Sequence, residues 1–194
     1  MNLGIFLTGQ KSPNLASTPL ESLGYYPSIT QIEDEVIGNL FPAISKYTIQ
    51  TNKPETRAIV LKNVGLTTIT DLRLWFIYPS APSGSDEFDD QQAIFKVGYT
   101  ALTTDACGDL IFPNSITNPY GSPLGITFVE ADAEENAISL PDIEAGMYLG
   151  IWIKRTLDPD LQLPLDSETL CEISAGTLVL DKTETTGLHL DWTE

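Results

Sequence analysis

Hydrophobic and polar residues alternate along the chain from residue 57 onward, in stretches too short for typical helices. Within residues 68–79 the pattern alternates, and one face of the predicted strand carries Leu72, Leu74, Phe76 and Tyr78. Similar stretches, bounded by Gly, Pro and Asp, predict further strands at 57–64, 92–103, 126–131, 137–143, 147–157, 176–184 and 188–192. The connection Asn63–Thr67 is short enough for a hairpin or a tight corner. This pattern predicts an all-β fold, an antiparallel β-sandwich that is Ig-like or jelly-roll-like.

The first 56 residues follow no sustained period and are rich in Ser, Pro, Gly and Asn. We therefore predict an extended N-terminal arm at 1–56 and a β-sandwich domain at 57–194. Four side chains in the arm are too apolar for a free tail: Tyr25, Tyr26, Phe41 and Ile44. We expect them to dock on the domain or on a neighbouring subunit, which makes the three aromatic residues candidate interface residues.

The charge balance restricts the classes of partner. The chain of 194 residues contains 10 Lys and Arg against 27 Asp and Glu, a formal net charge of −17. Such a charge argues against binding nucleic acid through its phosphates and against binding an anionic membrane surface. It favours attraction to cations or to basic protein surfaces, and it also promotes solubility.

The sequence carries few signs of a cellular location. No stretch approaches the roughly 18 apolar residues of a transmembrane helix. The first residues, MNLGIFLTGQK, lack the basic start of a secretory signal, so we expect synthesis and assembly in a cytoplasm. Cys107 and Cys171 are far apart in the sequence and can either pair or remain free thiols, so the redox compartment stays open.

Residues for catalysis or metal binding are sparse. His189 is the only histidine, so any Ser-His-Asp, Cys-His or zinc site would depend on it. The best candidates for a hard cation are Asp86, Asp89 and Asp90 in SDEFDD, although that stretch lacks EF-hand spacing and fits a solvated acidic loop better. With no phosphate-binding or nucleophile motif either, we expect no cofactor and no small-molecule substrate. A small hydrolase would need a cleft with converging carboxylates, and no stretch of the sequence singles out two of the 27 acidic residues.

Three tryptophans allow an alternative function. Trp75, Trp152 and Trp192 would suit a sugar-stacking platform, although aromatic residues on strands more often belong to the core. The alternative is therefore a β-sandwich module that binds carbohydrate or a cell surface. Its requirement is that Trp75 or Trp152 be accessible.

Two of the few basic residues, Lys154 and Arg155, directly follow the apolar stretch at 149–153. Because successive strand residues point to opposite faces, Arg155 shares a face with Ile151 and Ile153, while Lys154 shares one with Trp152. One of the two charges is therefore expected at the rim of the apolar face. There it would pair with a nearby acid or with another subunit, and Arg155 is a further candidate interface residue.

An ordered set of motifs resembles a group of virion structural proteins of tailed bacteriophages. The set begins with LGYYPSITQIEDEVIGNLFPAIS, RAIVLKNVG, DLRLWF and ALTTDACG. It ends with a D-I-x-x-G turn at 142–146 and a G-I-W-I-x-R strand at 150–155. The resemblance covers residues 1–157.

The resemblance implies a non-enzymatic structural subunit of a virion, built on a β-sandwich. Its partners would be other virion proteins and copies of itself, with no direct contact to nucleic acid. It would be assembled in the host cytoplasm and placed at the head–tail connector, in the tail or on the capsid. A long arm and strong acidity fit a subunit that interlaces with neighbours and docks on a more basic one.

Overall fold

A computed structural model describes residues 3–11, 17–32, 40–41, 53–77, 93–157 and 187–193. The described chain is built of antiparallel strands, so the prediction of an all-β fold is confirmed. The strands are β1 (Leu3–Gly9), β2 (Tyr26–Gln31), β3 (Glu55–Asn63), β4 (Thr70–Ile77), β5 (Ala93–Thr100), β6 (Thr103–Thr104), β7 (Leu110–Ile111), β8 (Val129–Glu130), β9 (Ile138–Ser139), β10 (Tyr148–Leu157) and β11 (Gly187–Thr193). Two single turns of 3-10 helix occupy Pro19–Glu21 and Glu134–Asn136.

The larger sheet has six strands in the order β2-β1-β3-β10-β5-β8. Its central strand β10 pairs with β3 on one side and β5 on the other, with Ile151 opposite both Ile59 and Tyr99. This central position explains why the sequence of β10 is almost continuously apolar, since both faces of the strand are covered.

A second sheet contains β11, β4 and β9 in that order, and β6 pairs with β7 in a separate hairpin. The short connection Asn63–Thr67 carries the chain from β3 in the larger sheet to β4 in the smaller one. Its length allowed either a hairpin or a tight corner, and the structure shows the tight corner.

The two sheets share one hydrophobic core. Alternate residues of β3 and β10, such as Ile59, Leu61 and Ile151, belong to the same buried cluster as Leu72 and Leu74 of β4. A core common to two sheets is the arrangement that a β-sandwich requires.

The outer face of the larger sheet is buried as well. Trp152 packs there with Ala58, Val60, Phe112 and Ile116, and a layer of loops covers these side chains. The ring of Phe112 meets that of Trp152 edge to face, with 5.4 Å between centroids. Gly150 makes this approach possible, because a Cβ at that position would lie 2.6 Å from the Phe112 ring. Loops 22–25 and 101–128 thus form a third layer.

The predicted separate arm is wrong for the described part of residues 1–56. Strand β1 pairs with β3 from Leu3 opposite Asn63 to Leu7 opposite Ile59, and β2 pairs with β1. Between β1 and β3 lies the buried Ser22, whose hydroxyl accepts the N–H of Thr8 at 2.8 Å and donates to the carbonyl of Ala58 at 2.5 Å. The N-terminal segment is therefore an integral part of the larger sheet.

Most strand predictions from residue 57 onward are confirmed. The stretches at 57–64, 68–79, 92–103, 147–157 and 188–192 correspond to β3, β4, β5, β10 and β11. Those at 126–131 and 137–143 contain only the two-residue strands β8 and β9. The strand predicted at 176–184 lies outside the described residues.

Candidate functional site

Three charged side chains lie between the sheets. Glu55 and Arg57 of β3 occupy the same face as Ile59, and Arg155 of β10 occupies the same face as Ile153. The exposed fractions of Glu55, Arg57 and Arg155 are only 6%, 1% and 2%. The register places Arg155 opposite Glu55, and its Nη2 donates to Glu55 Oε2 at 2.5 Å.

One aromatic ring contacts both guanidinium groups. The ring centroid of the buried Phe41 lies 5.5 Å from the guanidinium carbon of Arg57 and 4.9 Å from that of Arg155. Phe41 meets Phe95 edge to face, and Phe95 stacks on Phe76 of the smaller sheet. Such contacts with the π-face stabilise a cation that has lost its hydration. We call Phe41, Glu55, Arg57 and Arg155 the buried arginine cluster.

Among the described residues, the buried arginine cluster brings together two guanidinium groups and one carboxylate. Arg57 Nη1 donates to the carbonyl of Thr56 at 3.0 Å, whereas Arg57 Nε has no hydrogen-bond partner among the described residues. Burial lowers the pKa of both arginines below the ordinary value, and the charge of Glu55 acts in the opposite direction. Because the groups are closed off from solvent, the arrangement can fix the strands relative to one another but offers no surface for a substrate.

A second polar cluster ties the N-terminal segment to the hairpin of β6 and β7. Asp105 Oδ1 accepts the N–H groups of Cys107 and Asp109, at 2.8 and 2.9 Å, which shapes the hairpin turn. Asp105 Oδ2 accepts the hydroxyl of Tyr26 at 3.0 Å and the ammonium of Lys11 at 3.5 Å. Lys11 also binds Asp109 and lies 5.4 Å from the centroid of the Tyr26 ring.

These contacts lower the pKa of the Asp105 carboxyl to about 2, mainly through the N–H of Asp109 and that of Cys107. The hydrogen bond to Asp105 raises the pKa of Tyr26, and the one to Asp109 raises the pKa of Lys11. Lys11 and Asp109 are exposed, whereas Tyr26 and Asp105 are partly buried. Because these four residues join two segments of the chain, we call them the clasp.

The lowered pKa of Asp105 predicts a loss of stability in acid. The charged form contributes its full stabilisation above the unfolded pKa of 3.8 and loses it as pH falls towards about 2. The Asp105→Asn variant keeps an oxygen that can accept the turn hydrogen bonds but lacks the charge. We expect wild type to exceed this variant in urea midpoint at neutral pH, with the difference closing below about pH 4.

Glu135→Gln is the matched control, because it removes an exposed carboxylate outside the clasp. Its difference from wild type should not show the same convergence. Parallel pH profiles for wild type and Asp105→Asn would contradict a stabilising role for the Asp105 charge.

The structure places the four candidate interface residues in contacts within one chain. Phe41 and Arg155 are buried, and the pairing of Arg155 with Glu55 is the first of the two alternatives that the sequence allowed. Tyr26 is half-buried in the clasp. Tyr25 is also half-buried, with its N–H donating to Ser115 Oγ at 2.6 Å. These contacts leave little of Phe41 and Arg155 to meet a neighbouring subunit.

Sequence reasoning missed Glu55, Arg57 and Asp105 as members of these clusters. The spacing of Glu55 and Arg57 held a usable signal, because both fall on the strand face defined by Ile59. An Asp three residues before a Gly, as Asp105 is before Gly108, is typical of a turn. The contact of Asp105 with Lys11 could not be predicted from this pattern, because Lys11 is remote in the sequence.

The structure describes some of the remaining candidate residues. Trp75 and Trp152 are both buried, so neither offers a platform for a sugar ring. The backbone of His189 lies opposite Trp75 on β11. Cys107 is an exposed free thiol. Asp86, Asp89, Asp90, Ile44 and Cys171 lie outside the described residues.

Within the described residues, no three His, Cys, Asp or Glu side chains are grouped so that they could hold a metal ion. The helices in that part of the chain are also too short and too polar to cross a membrane. Comparison of the chain with models of protein families, with characterised proteins and with solved structures finds no match.

Proposed function

We propose that this chain is a non-enzymatic structural subunit of a tailed-phage virion, placed at the head–tail connector, in the tail or on the capsid. It acts through contacts with other virion proteins and with copies of itself. The resemblance of the motifs supports a phage protein. The observation that carries the proposal is that the same motifs form the turn before β10 and the centre of β10, which are structural elements of the fold.

The D-I-x-x-G motif forms the turn before β10. The N–H and carbonyl of Ile143 both bond to Ile69, and Gly146 has a φ of 76°, a left-handed conformation that favours glycine. The G-I-W-I-x-R motif is the centre of β10 itself, where Trp152 fills the outer cluster and Arg155 joins the buried arginine cluster. These residues stabilise the turn and the central strand of the fold. Such a role suits a structural subunit, which needs a rigid fold.

Association by strand addition at β2 is disfavoured. Pro27 lies in this edge strand and has no N–H to donate, and the pairing with β1 shifts register between Phe6 and Thr8. The N–H of Ser17 donates to Thr30 Oγ1, and the N–H of Thr30 donates to Ser28 Oγ. These backbone groups are therefore already paired. We therefore expect the interfaces of this proposal to lie away from the edge of β2.

The proposal is tested by the composition of purified particles. Tailed particles from the host that carries this gene should contain the full-length chain in several copies each, measured by quantitative mass spectrometry. Deleting the gene should yield incomplete particles, and the wild-type gene supplied in trans should restore them. Removal of residues 1–50 is not a usable test of assembly, because it deletes β1 and β2.

A chain that is absent from purified particles would contradict the proposal. The alternative, a carbohydrate-binding module, predicts saturable binding of the full-length chain to one class of glycan. The burial of Trp75 and Trp152 disfavours it, so we expect no such binding on a glycan array.

A further inference from the structure

Three large apolar side chains project from one end of the molecule. Val64 and Leu66 lie on the corner between β3 and β4, and Met147 lies on the turn before β10. Their exposed fractions are 52%, 96% and 54%. Because the N–H of Asn63 donates to the carbonyl of Met147 and the N–H of Gly146 donates to the carbonyl of Asn63, both at 3.0 Å, the two turns are neighbours. We call Val64, Leu66 and Met147 the apolar tip.

The apolar tip is held in place by the buried side chain of Asn63. Its Nδ2 donates to the carbonyls of Thr67 and Ile143, both at 2.7 Å, and its Oδ1 accepts the N–H of Gly65 at 2.9 Å. One side chain thus uses its donors and its acceptor to tie the corner to the neighbouring turn. The apolar groups are therefore presented to water on an ordered frame, which reduces the entropic cost of binding a partner.

Charges beside the apolar tip indicate what covers it. Asp142 and Glu144 lie on the same turn as Met147 and are exposed. Lys62, which directly precedes Asn63, has its ammonium 4.9 Å from the centroid of the Tyr148 ring. The apolar groups are thus bordered by acids, on a chain with a net charge of −17. A second copy docked tip to tip would bring the same acids together, which is unfavourable.

We propose that the apolar tip docks into an apolar recess with a basic rim on a different protein. Burial of Leu66 and Met147 supplies the attraction, while Asp142 and Glu144 select a cationic border and speed the encounter. The inference rests on the proposed function only in making that partner a virion protein. The docking chemistry itself follows from exposure and charge.

The test uses fluorescent amphipathic peptides as probes of the full-length chain. A Leu–Lys peptide supplies both apolar and cationic groups, a Ser–Lys peptide supplies only the charge, and a Leu–Glu peptide reverses the charge. By fluorescence anisotropy, we expect the wild-type chain to bind the Leu–Lys peptide more tightly than either of the other two. Raised salt should weaken this binding without abolishing it.

The Leu66→Ser, Met147→Ser double variant should weaken binding of the Leu–Lys peptide about tenfold or more, as expected for two lost apolar contacts. Leu124→Ser is the matched control, since Leu124 is also highly exposed but lies on the loop layer. It should bind the peptide as wild type does. Circular dichroism should show all these variants folded, because the substituted side chains are exposed.

Three outcomes would overturn the inference. They are an equal loss of binding in Leu124→Ser, equally tight binding of the Leu–Glu peptide, and self-association of the wild-type chain that Leu66→Ser abolishes. The last result would make a second copy the occupant. The particle-composition experiment is independent, so a chain absent from virions would contradict the proposed function and leave the peptide result standing.

Discussion

Replacing Glu55 with alanine is expected to lower the free energy of unfolding by about 3–5 kcal/mol, because it removes one partner of a buried ion pair. The variant would remove the carboxylate that accepts a hydrogen bond from Arg155 Nη2, while the guanidinium groups of Arg57 and Arg155 stay buried. A loss of that size is a large part of the roughly 5–15 kcal/mol that stabilises a typical domain. Urea unfolding followed by tryptophan fluorescence measures it.

The surface pair Lys96–Glu130 is the matched control. Its two charged atoms are 3.4 Å apart, but both side chains are almost half exposed. Water already screens this pair, so Glu130→Ala should cost at most about 1 kcal/mol. Similar small losses in both variants would show that the Glu55 carboxylate is not needed inside the core.

A double variant separates the ion pair from the space that it fills. Replacing Glu55 with leucine and Arg155 with methionine removes both charges and keeps most of the volume. Since apolar substitutes for a buried ion pair are often neutral or stabilising, this chain should be more stable than Glu55→Ala. An equally unstable double variant would show that the charge of Arg155 does not cause the loss in Glu55→Ala.

Alternation predicted which face Arg155 occupies but not that the side chain is buried. The two-residue period places Arg155 beside Ile153 whether the end of the strand is open or covered. Phe41 provides part of that cover, and the stretch around it has no strand period of its own. The contact between Phe41 and Arg155 depends on the tertiary fold, so a local sequence pattern cannot predict it.

The misplaced N-terminal arm has a similar cause. Leu3–Gly9 is buried along nearly its whole length, so it shows a continuous apolar stretch instead of alternation. Such a stretch becomes a strand only when β3 pairs with it, more than fifty positions later in the sequence. In β2, Pro27 argued locally against a strand, although an edge position tolerates proline.

The loop layer over β10 was also beyond the reach of local pattern. Sequence alternation placed Trp152 on the same strand face as Lys154, and the burial of Trp152 agrees with the expectation that strand aromatics more often belong to a core. It gave no sign that Phe112 and Ile116 come from a loop to cover it. Strand periodicity thus predicted the sheets, whereas the layer outside them is fixed by a few apolar residues without a period.

Replacing Trp152 with alanine is expected to lower the free energy of unfolding by about 3–5 kcal/mol, the usual cost of emptying a large aromatic site in a core. Trp152 is fully buried and lies at the centre of the outer cluster. Without its ring, the loop layer has no large apolar surface to pack on. Chemical unfolding gives the overall loss, and hydrogen exchange shows where it occurs.

Amide exchange should accelerate most at Phe112 and Ile116, whose N–H groups donate to the carbonyls of Tyr25 and Leu23 within that layer. The N–H of Ile69, bonded to Ile143 between the corner and the turn before β10, serves as the internal reference and should change less. Uniform acceleration at all three amides would indicate global destabilisation without selective release of the loop layer.

Two further variants identify the cause of the loss. Trp152→Phe keeps an aromatic ring and also removes the Nε1–H, which has no hydrogen-bond partner among the described residues, so it should lose clearly less stability than Trp152→Ala. Tyr120→Ala removes a half-exposed ring from the same layer and should cost less than about 1 kcal/mol. If Trp152→Ala leaves exchange at Phe112 and Ile116 unchanged, the ring of Trp152 does not hold the layer in place.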